Sequence, residues 1–125
     1  MKILPYLLAV FVTFFAPISS VMIAILFLML IDFICGIFAA KKRGEKISSK
    51  KMKNSIIKLF LYQLSIITGH LIFLYFIPVI PWVNIIAGLI GVTEILSIFE
   101  NISQVTNTNF IKVIKDNIIK YINKK

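Results

Sequence analysis

Three acidic side chains stand where the chain otherwise avoids charge. Asp32 lies within the apolar run 18–40, Glu94 lies within the apolar run 79–99, and Glu100 follows the end of that second run. A carboxylate in an apolar interior has to be protonated, hydrogen-bonded or paired with a cation. Such groups hold helices together or exchange protons and cations, and both uses remain open for Asp32 and Glu94 at this point.

Residues that could bind a metal, form a disulfide or act in catalysis are scarce. His70 follows Gly69 in the apolar run 56–77, and the chain has one His and one Cys, Cys35. A metal site or an intrachain disulfide is therefore not expected. No nucleophile with a neighbouring base and no phosphate-binding glycine loop is evident. We expect no catalytic, metal or cofactor-binding residues, and we expect His70 to contact a neighbouring helix or face a pore.

The elements that position these side chains are apolar blocks. Apolar residues make up 59% of the 125 residues and charged residues 15%, against roughly 45–50% and about 25% in soluble proteins. The predicted helical blocks cover about 3–16, 18–42, 50–77 and 79–103. The last three can cross a hydrocarbon core of about 30 Å, whereas the first either crosses as a short tilted helix or lies re-entrant.

These blocks predict the fold class. We expect an all-α integral membrane protein, formed by residues 1–125 as one multi-span domain, with three to four transmembrane helices and a C-terminal amphipathic helix. Capping and turn residues mark the expected boundaries. They are Ser20 before the second helix, Gly44 after it, Ser48 or Ser49 before the third, Pro78 and Pro81 in the next turn, and Thr108 before the tail.

The net charge of +9 is concentrated beside the apolar blocks. Seven of the fourteen basic residues lie in 41–53 and five lie in 112–125, so nucleic acid is not expected as a partner. This asymmetry predicts that the loop 41–53 and the tail are cytoplasmic and contact anionic lipid headgroups. The residues assigned to this surface are Lys41, Lys42, Arg43, Lys46, Lys50, Lys51, Lys53, Lys112, Lys115 and Lys120.

The tail 109–125 has the pattern of an amphipathic helix. Isoleucines recur at positions 111, 114, 118 and 122, and the residues at 112, 116, 120 and 123 are polar. This spacing favours a helix lying on the inner membrane surface. A helix that packs on a partner protein is the alternative.

Counting residues from the ends of the apolar runs places Asp32 and Glu94 at a similar depth in the membrane. Asp32 is eight residues from Ala40, and Glu94 is six residues from Glu100, which puts both about 9–12 Å from one membrane boundary. We expect one polar seam with Lys58 as the nearest cation. Pairs of small residues four apart predict close helix contacts within or between chains. These pairs are Ser20 with Ala24, Gly36 with Ala40, and Ala87 with Gly91.

Two stretches resemble one family. "IDFICGIFAAKKRGEKISSKKMKNSIIK" (31–58) and "EILSIFENIS" (94–103) are similar to the hallmark regions of the phage holins of the toxin-secretion and phage-lysis type, which include pneumococcal phage and clostridial toxin-release holins. The matching positions are Asp32, Gly36, Ala39, Ala40, Ser48 and Ser49 in the first stretch, and Glu94, Ser97, Ile98, Glu100 and Asn101 in the second. Cys35, Asn54 and Ser55 depart from the family pattern.

The resemblance implies a function that the residues alone do not. It implies a non-enzymatic protein of the host bacterial cytoplasmic membrane that forms homo-oligomers and opens lesions, with endolysin or a toxin as functional partner. Together with the analysis of the individual residues, it gives the candidate intramembrane polar and assembly residues, which are Asp32, Gly36, His70, Glu94, Glu100 and Asn101. The alternatives are a dimeric proton-coupled multidrug-type transporter, and a membrane anchor that binds another membrane protein.

Overall fold

The computed structural model describes residues 2–125, and all regular secondary structure in this range is helical. Three of the helices are long and apolar enough to cross a membrane, so the expected fold class is confirmed. The elements are α1 (Leu4–Phe15), a 3-10 turn (Ala16–Ile18), α2 (Ser19–Lys42), α3 (Ser49–Tyr75), α4 (Trp82–Thr106) and α5 (Phe110–Asn123).

The first block joins the second without a chain reversal. Residues from Phe15 to Ser19 keep right-handed helical backbone angles, and the 3-10 turn carries Pro17. Proline has no N–H to donate to Thr13, which loosens the helix here without ending it. The combined stretch Leu4–Lys42 has 39 residues, about 58 Å at helical rise. This length exceeds a hydrocarbon core, and the stretch is one of three that are long and apolar enough to cross a membrane.

Two predicted boundaries are confirmed. The Ser48 side chain accepts a hydrogen bond from the Lys51 N–H and caps α3. Gly44 follows the end of α2 with a φ of +75°, a left-handed conformation that glycine adopts without steric cost. Pro78 and Pro81 lie in the turn between α3 and α4, although α4 begins at Trp82, three residues later than expected.

Two other capping predictions are wrong. Ser20 lies inside α2 because the helical backbone continues through Pro17, and the neighbouring Ser19 hydroxyl donates to the Ala16 carbonyl at 2.9 Å. Thr108 does not cap α5. The Asn109 side chain accepts from the Lys112 N–H at 3.1 Å, whereas the Thr108 hydroxyl donates to the Thr106 carbonyl.

The three long helices pack around a small apolar core, and each of them contacts the other two. The core is formed by Ile18, Ile25, Met29, Ile66 and Ile90. Most other large apolar side chains point away from this core, including nearly all of those on α1. Outward apolar side chains on spanning helices face the hydrocarbon region of a bilayer, which removes the cost that water would impose.

Gly69 lets α3 approach the start of α4. A Cβ atom at this position would lie 2.8 Å from Ile86 Cδ1 and 3.6 Å from backbone atoms of Trp82 and Val83. Alanine should therefore be tolerated, because only the flexible end of Ile86 has to move. A larger side chain meets backbone that cannot move cheaply.

Gly69→Val should lower the free energy of unfolding by about 1–3 kcal/mol through overpacking. Chemical unfolding in micelles, followed by circular dichroism, measures the loss. Gly88→Val is the matched control, since nothing lies within 4 Å of a Cβ atom at Gly88. Equal losses at both positions would contradict overpacking against α4 as the cause of the loss at Gly69.

Candidate functional site

A polar seam runs between the three spanning helices, and we define it by Asp32, Lys58, Tyr62, Glu94 and Asn101. Glu94 is its centre and is fully buried. The Lys58 Nζ lies 2.6 Å from Glu94 Oε1, and the Tyr62 hydroxyl donates to the same oxygen at 2.9 Å. An ion pair with a second hydrogen bond lets a carboxylate remain within an apolar bundle.

Asp32 lies at the edge of the same seam and is half-buried. The Asn101 amide Nδ2 donates to Asp32 Oδ1 at 3.3 Å. The Asp32 carboxylate also lies beside the side chains of Ser97 and Glu94. The structure therefore brings the two intramembrane carboxylates together, at the common depth that their spacing indicates.

Helix periodicity explains how each element contributes. Lys58 and Tyr62 are four residues apart and share one face of α3, while Glu94, Ser97 and Asn101 follow one face of α4. On α2, a Cβ atom at Gly36 would lie 3.7 Å from Asn101 Nδ2, so α2 and α4 are in close contact at this level. This distance is an ordinary van der Waals contact, so an alanine at position 36 would also fit beside the Asn101 amide.

The seam has more acidic than basic side chains. It holds two carboxylates, Asp32 and Glu94, and one ammonium, Lys58. Glu94 Oε2 is buried without a hydrogen-bond partner among residues 2–125. A cavity of about 190 Å³ reaches Asp32 from the side of the basic loop, and Arg43, Lys51 and Asn101 are among its lining residues. Polar space in this position can admit water to the Asp32 carboxylate.

The basic loop ties the ends of α2 and α4 together. The Lys42 ammonium donates to the Val105 carbonyl at 2.6 Å, and the Arg43 guanidinium donates to the Gln104 side-chain oxygen. These bonds close the bundle beneath the seam. We call this pair of contacts the inner clasp.

Glu45 neutralises part of the basic loop. Its carboxylate accepts from the Arg43 guanidinium and from the Lys51 ammonium, each at 3.1 Å. These two cations lower the pKa of Glu45 from 4.5 to about 2, and the carboxylate in turn raises the pKa of Arg43. Because the folded pKa is the lower one, the two ion pairs are present above the usual pKa and are lost only as pH falls towards about 2.

The other predicted site residues lie outside the seam. His70 is buried near the opposite end of the bundle, where its Nε2 donates to the Phe14 carbonyl at 3.1 Å. This contact joins α3 to the last turn of α1, just before Pro17. Glu100 is exposed on α4 and makes no ion pair within residues 2–125.

The basic residues assigned to the membrane surface are all exposed. They are Lys41, Lys42, Arg43, Lys46, Lys50, Lys51, Lys53, Lys112, Lys115 and Lys120. No group of three His, Cys, Asp or Glu side chains in the described part of the chain could hold a metal ion.

Sequence reasoning missed two polar contacts. Tyr62 was not expected in the seam, although its position one turn after Lys58 is a usable signal. The Gln63 amide donates to the Met22 carbonyl at 2.9 Å and joins α3 to α2. Nothing in the local sequence indicates that second contact, because it depends on how the two helices are rotated.

Comparison with known proteins gives one result. A family model described as the bacteriophage holin family matches residues 9–123, from the middle of α1 to the last residue of α5. The matched range includes every residue of the seam and of the inner clasp. No curated protein and no solved structure gives a match.

Proposed function

The chain belongs to the bacteriophage holin family, and from this premise we propose that it accumulates in the host's cytoplasmic membrane, oligomerises and opens lesions that release an endolysin or toxin. Membrane permeabilisation is the role of the family, and the chain has the three spanning helices that a multi-pass membrane protein needs. The family match across all three spans is the observation that carries the proposal. The proposed role is non-enzymatic.

The orientation follows from the charges at the two ends of the bundle. Residues 41–53 and the tail carry most of the basic side chains, whereas the turn between α3 and α4 carries none. Under the positive-inside rule the loop and the tail lie in the cytoplasm. The inner clasp then lies at the cytoplasmic surface, and the His70 contact lies near the outer one.

The proposed assembly uses the seam as the contact that keeps a single chain closed. Within one chain, Lys58 pairs with Glu94, and the Asn101 amide donates to Asp32. Opening of the seam exposes these groups to another copy of the chain or to water. Polar groups between membrane helices act in this way when the bundle has two arrangements of similar free energy.

Induction of the chain in bacteria together with a cytoplasmic endolysin should collapse the membrane potential and cause abrupt lysis. A potential-sensitive dye and culture turbidity measure the two events. The controls are endolysin without the chain, which should leave the cells intact, and the chain without endolysin, which should collapse the potential with delayed lysis. Continued growth with full potential at high membrane expression would contradict the proposal, and a gain of drug resistance without lysis would favour a transporter.

A further inference from the structure

Lys115 lies on the apolar side of α5. Of the four positions that neighbour it on the helix surface, three are isoleucines, Ile111, Ile118 and Ile119, and the fourth is Lys112. The neighbours of Lys120 at the same spacings are Asp116, Asn117, Asn123 and Lys124, all of them polar. Lys115 therefore has mostly apolar neighbours on the helix surface, whereas Lys120 has polar ones.

An apolar notch lies next to Lys115, between α5 and the side of α4. It has a volume of about 350 Å³. Its walls are Leu96 and Phe99 on α4, with Ile111, Ile114, Lys115, Ile118 and Ile119 on α5. Lys115 is its only charged wall residue, and within residues 2–125 it forms no ion pair.

The angle between the two helices is held by specific contacts. The Phe110 N–H donates to the Ser103 hydroxyl at 3.0 Å, and the Phe99 and Phe110 rings meet edge to face with centroids 5.1 Å apart. Asn107, with a φ of 54°, makes the sharp bend that ends α4. The notch is therefore a formed feature of the fold and does not depend on a freely moving tail.

The notch extends from the membrane interior to its surface. Leu96 is ten residues before the end of α4, about 15 Å along the helix axis, and its side chain is 45% exposed. Lys115 stands at the α5 wall, where the helix lies on the surface. An apolar slot with one cation at the rim matches a molecule that has an apolar chain and an anionic head.

We propose that this notch binds one anionic phospholipid, with an acyl chain along Leu96 and Phe99 and the headgroup phosphate on Lys115. The proposal rests on the proposed cytoplasmic placement of the tail. A second copy of α5 is a poor occupant, because the helix and the two residues that follow it, Lys124 and Lys125, carry five lysines and one aspartate, a net charge of +4. Two such segments repel each other. The anionic inner leaflet has the complementary charge.

The test uses the full chain in neutral detergent micelles, with added phosphatidylglycerol and native mass spectrometry to count bound lipids. Lys115→Gln should weaken binding of the first phosphatidylglycerol about fivefold, the factor expected for one basic residue at an anionic headgroup. Lys120→Gln is the matched control and should change that binding less than twofold. Leu96→Trp should fill the notch and lower binding as much as Lys115→Gln, with circular dichroism to verify folding.

Three results would overturn the proposal. Equal weakening by Lys120→Gln would indicate a diffuse surface charge in place of a site. Equal binding of phosphatidylcholine would show that the notch does not distinguish an anionic headgroup from a neutral one. Competition by soluble glycerol phosphate would show a phosphate site that needs no acyl chain. These readouts do not depend on lysis, so a failed lysis assay with intact lipid binding would count against the proposed function alone.

Discussion

Lys58→Met should lower the free energy of unfolding by about 3–5 kcal/mol, because it removes the cation from a carboxylate that has no access to solvent. Glu94 is 0% exposed, whereas the Lys58 side chain is 39% exposed. Methionine keeps an unbranched chain of similar length, so the packing around position 58 is largely retained. Chemical unfolding in micelles, followed by circular dichroism, gives the difference from the unsubstituted chain.

The two partners of this ion pair should not be equivalent. Glu94→Leu leaves Lys58 with a long flexible stem that can carry its ammonium towards the headgroups, so the loss should be smaller than for Lys58→Met. The double substitution Lys58→Met with Glu94→Leu should recover much of the stability, because an apolar pair replaces the ionic one without an unpaired charge.

The matched control is Lys53→Met, at an exposed position on the first turns of α3. Its effect should stay within about 0.5 kcal/mol. A loss at Lys53 equal to that at Lys58, or a Glu94→Leu loss larger than the Lys58→Met loss, would contradict the ion pair as the central contact of the seam.

The long helices were predictable because their signals are local. Length, apolar composition and the prolines near 78–81 indicate α2, α3 and α4 without knowledge of any tertiary contact. The roles of Ser48 and Gly44 at the helix ends were equally predictable, because a capping hydroxyl and a left-handed glycine act within one turn of the chain. These features depend only on residues close in sequence.

The errors occur where a local signal has two outcomes. Pro17 can end a helix or lie in its first turn, and the chain here keeps helical angles on both sides of it. Thr108 and Asn109 are adjacent candidates for one cap, and the bend at Asn107 places the Asn109 side chain at the Lys112 N–H. Tertiary geometry, which the local pattern does not contain, decides both cases.

The depth of the seam and its nearest cation, Lys58, were predictable, but the individual pairs of side chains were not. Counting residues from the membrane boundary places Asp32 and Glu94 at one level, and the structure has them side by side. That Lys58 pairs with Glu94, and Asn101 with Asp32, depends on rotation about three helix axes. The depth of a residue follows from its position along one helix. The partner of a residue depends on how the helices pack against each other.

The excess of acidic over basic side chains in the seam predicts that Asp32 affects the time at which lysis begins. Lys58 can neutralise one carboxylate, and it contacts Glu94, whereas Asp32 has the neutral donors Asn101, at 3.3 Å, and Ser97. Two carboxylates close together in an apolar bundle repel each other. In the proposed mechanism this repulsion favours opening of the seam, and the Lys58 ion pair opposes it.

Asp32→Asn should therefore delay lysis. The amide oxygen can still accept from Asn101, and the side chain keeps its size, but the charge facing Glu94 is gone. A stabilisation of the closed seam by about 1.4 kcal/mol would lower the open population tenfold. Culture turbidity and a potential-sensitive dye, read with coexpressed endolysin at matched protein levels, measure the time of onset.

Asp116→Asn is the matched control, because it makes the same chemical change at an exposed position on α5. It should leave the time of onset unchanged. Unchanged or earlier lysis with Asp32→Asn would mean that the Asp32 charge does not favour opening, and would limit this carboxylate to its contact with Asn101. A delay confined to Asp32→Asn would instead identify repulsion within the seam as a force that sets when the lesion forms, opposed by the ion pair between Lys58 and Glu94.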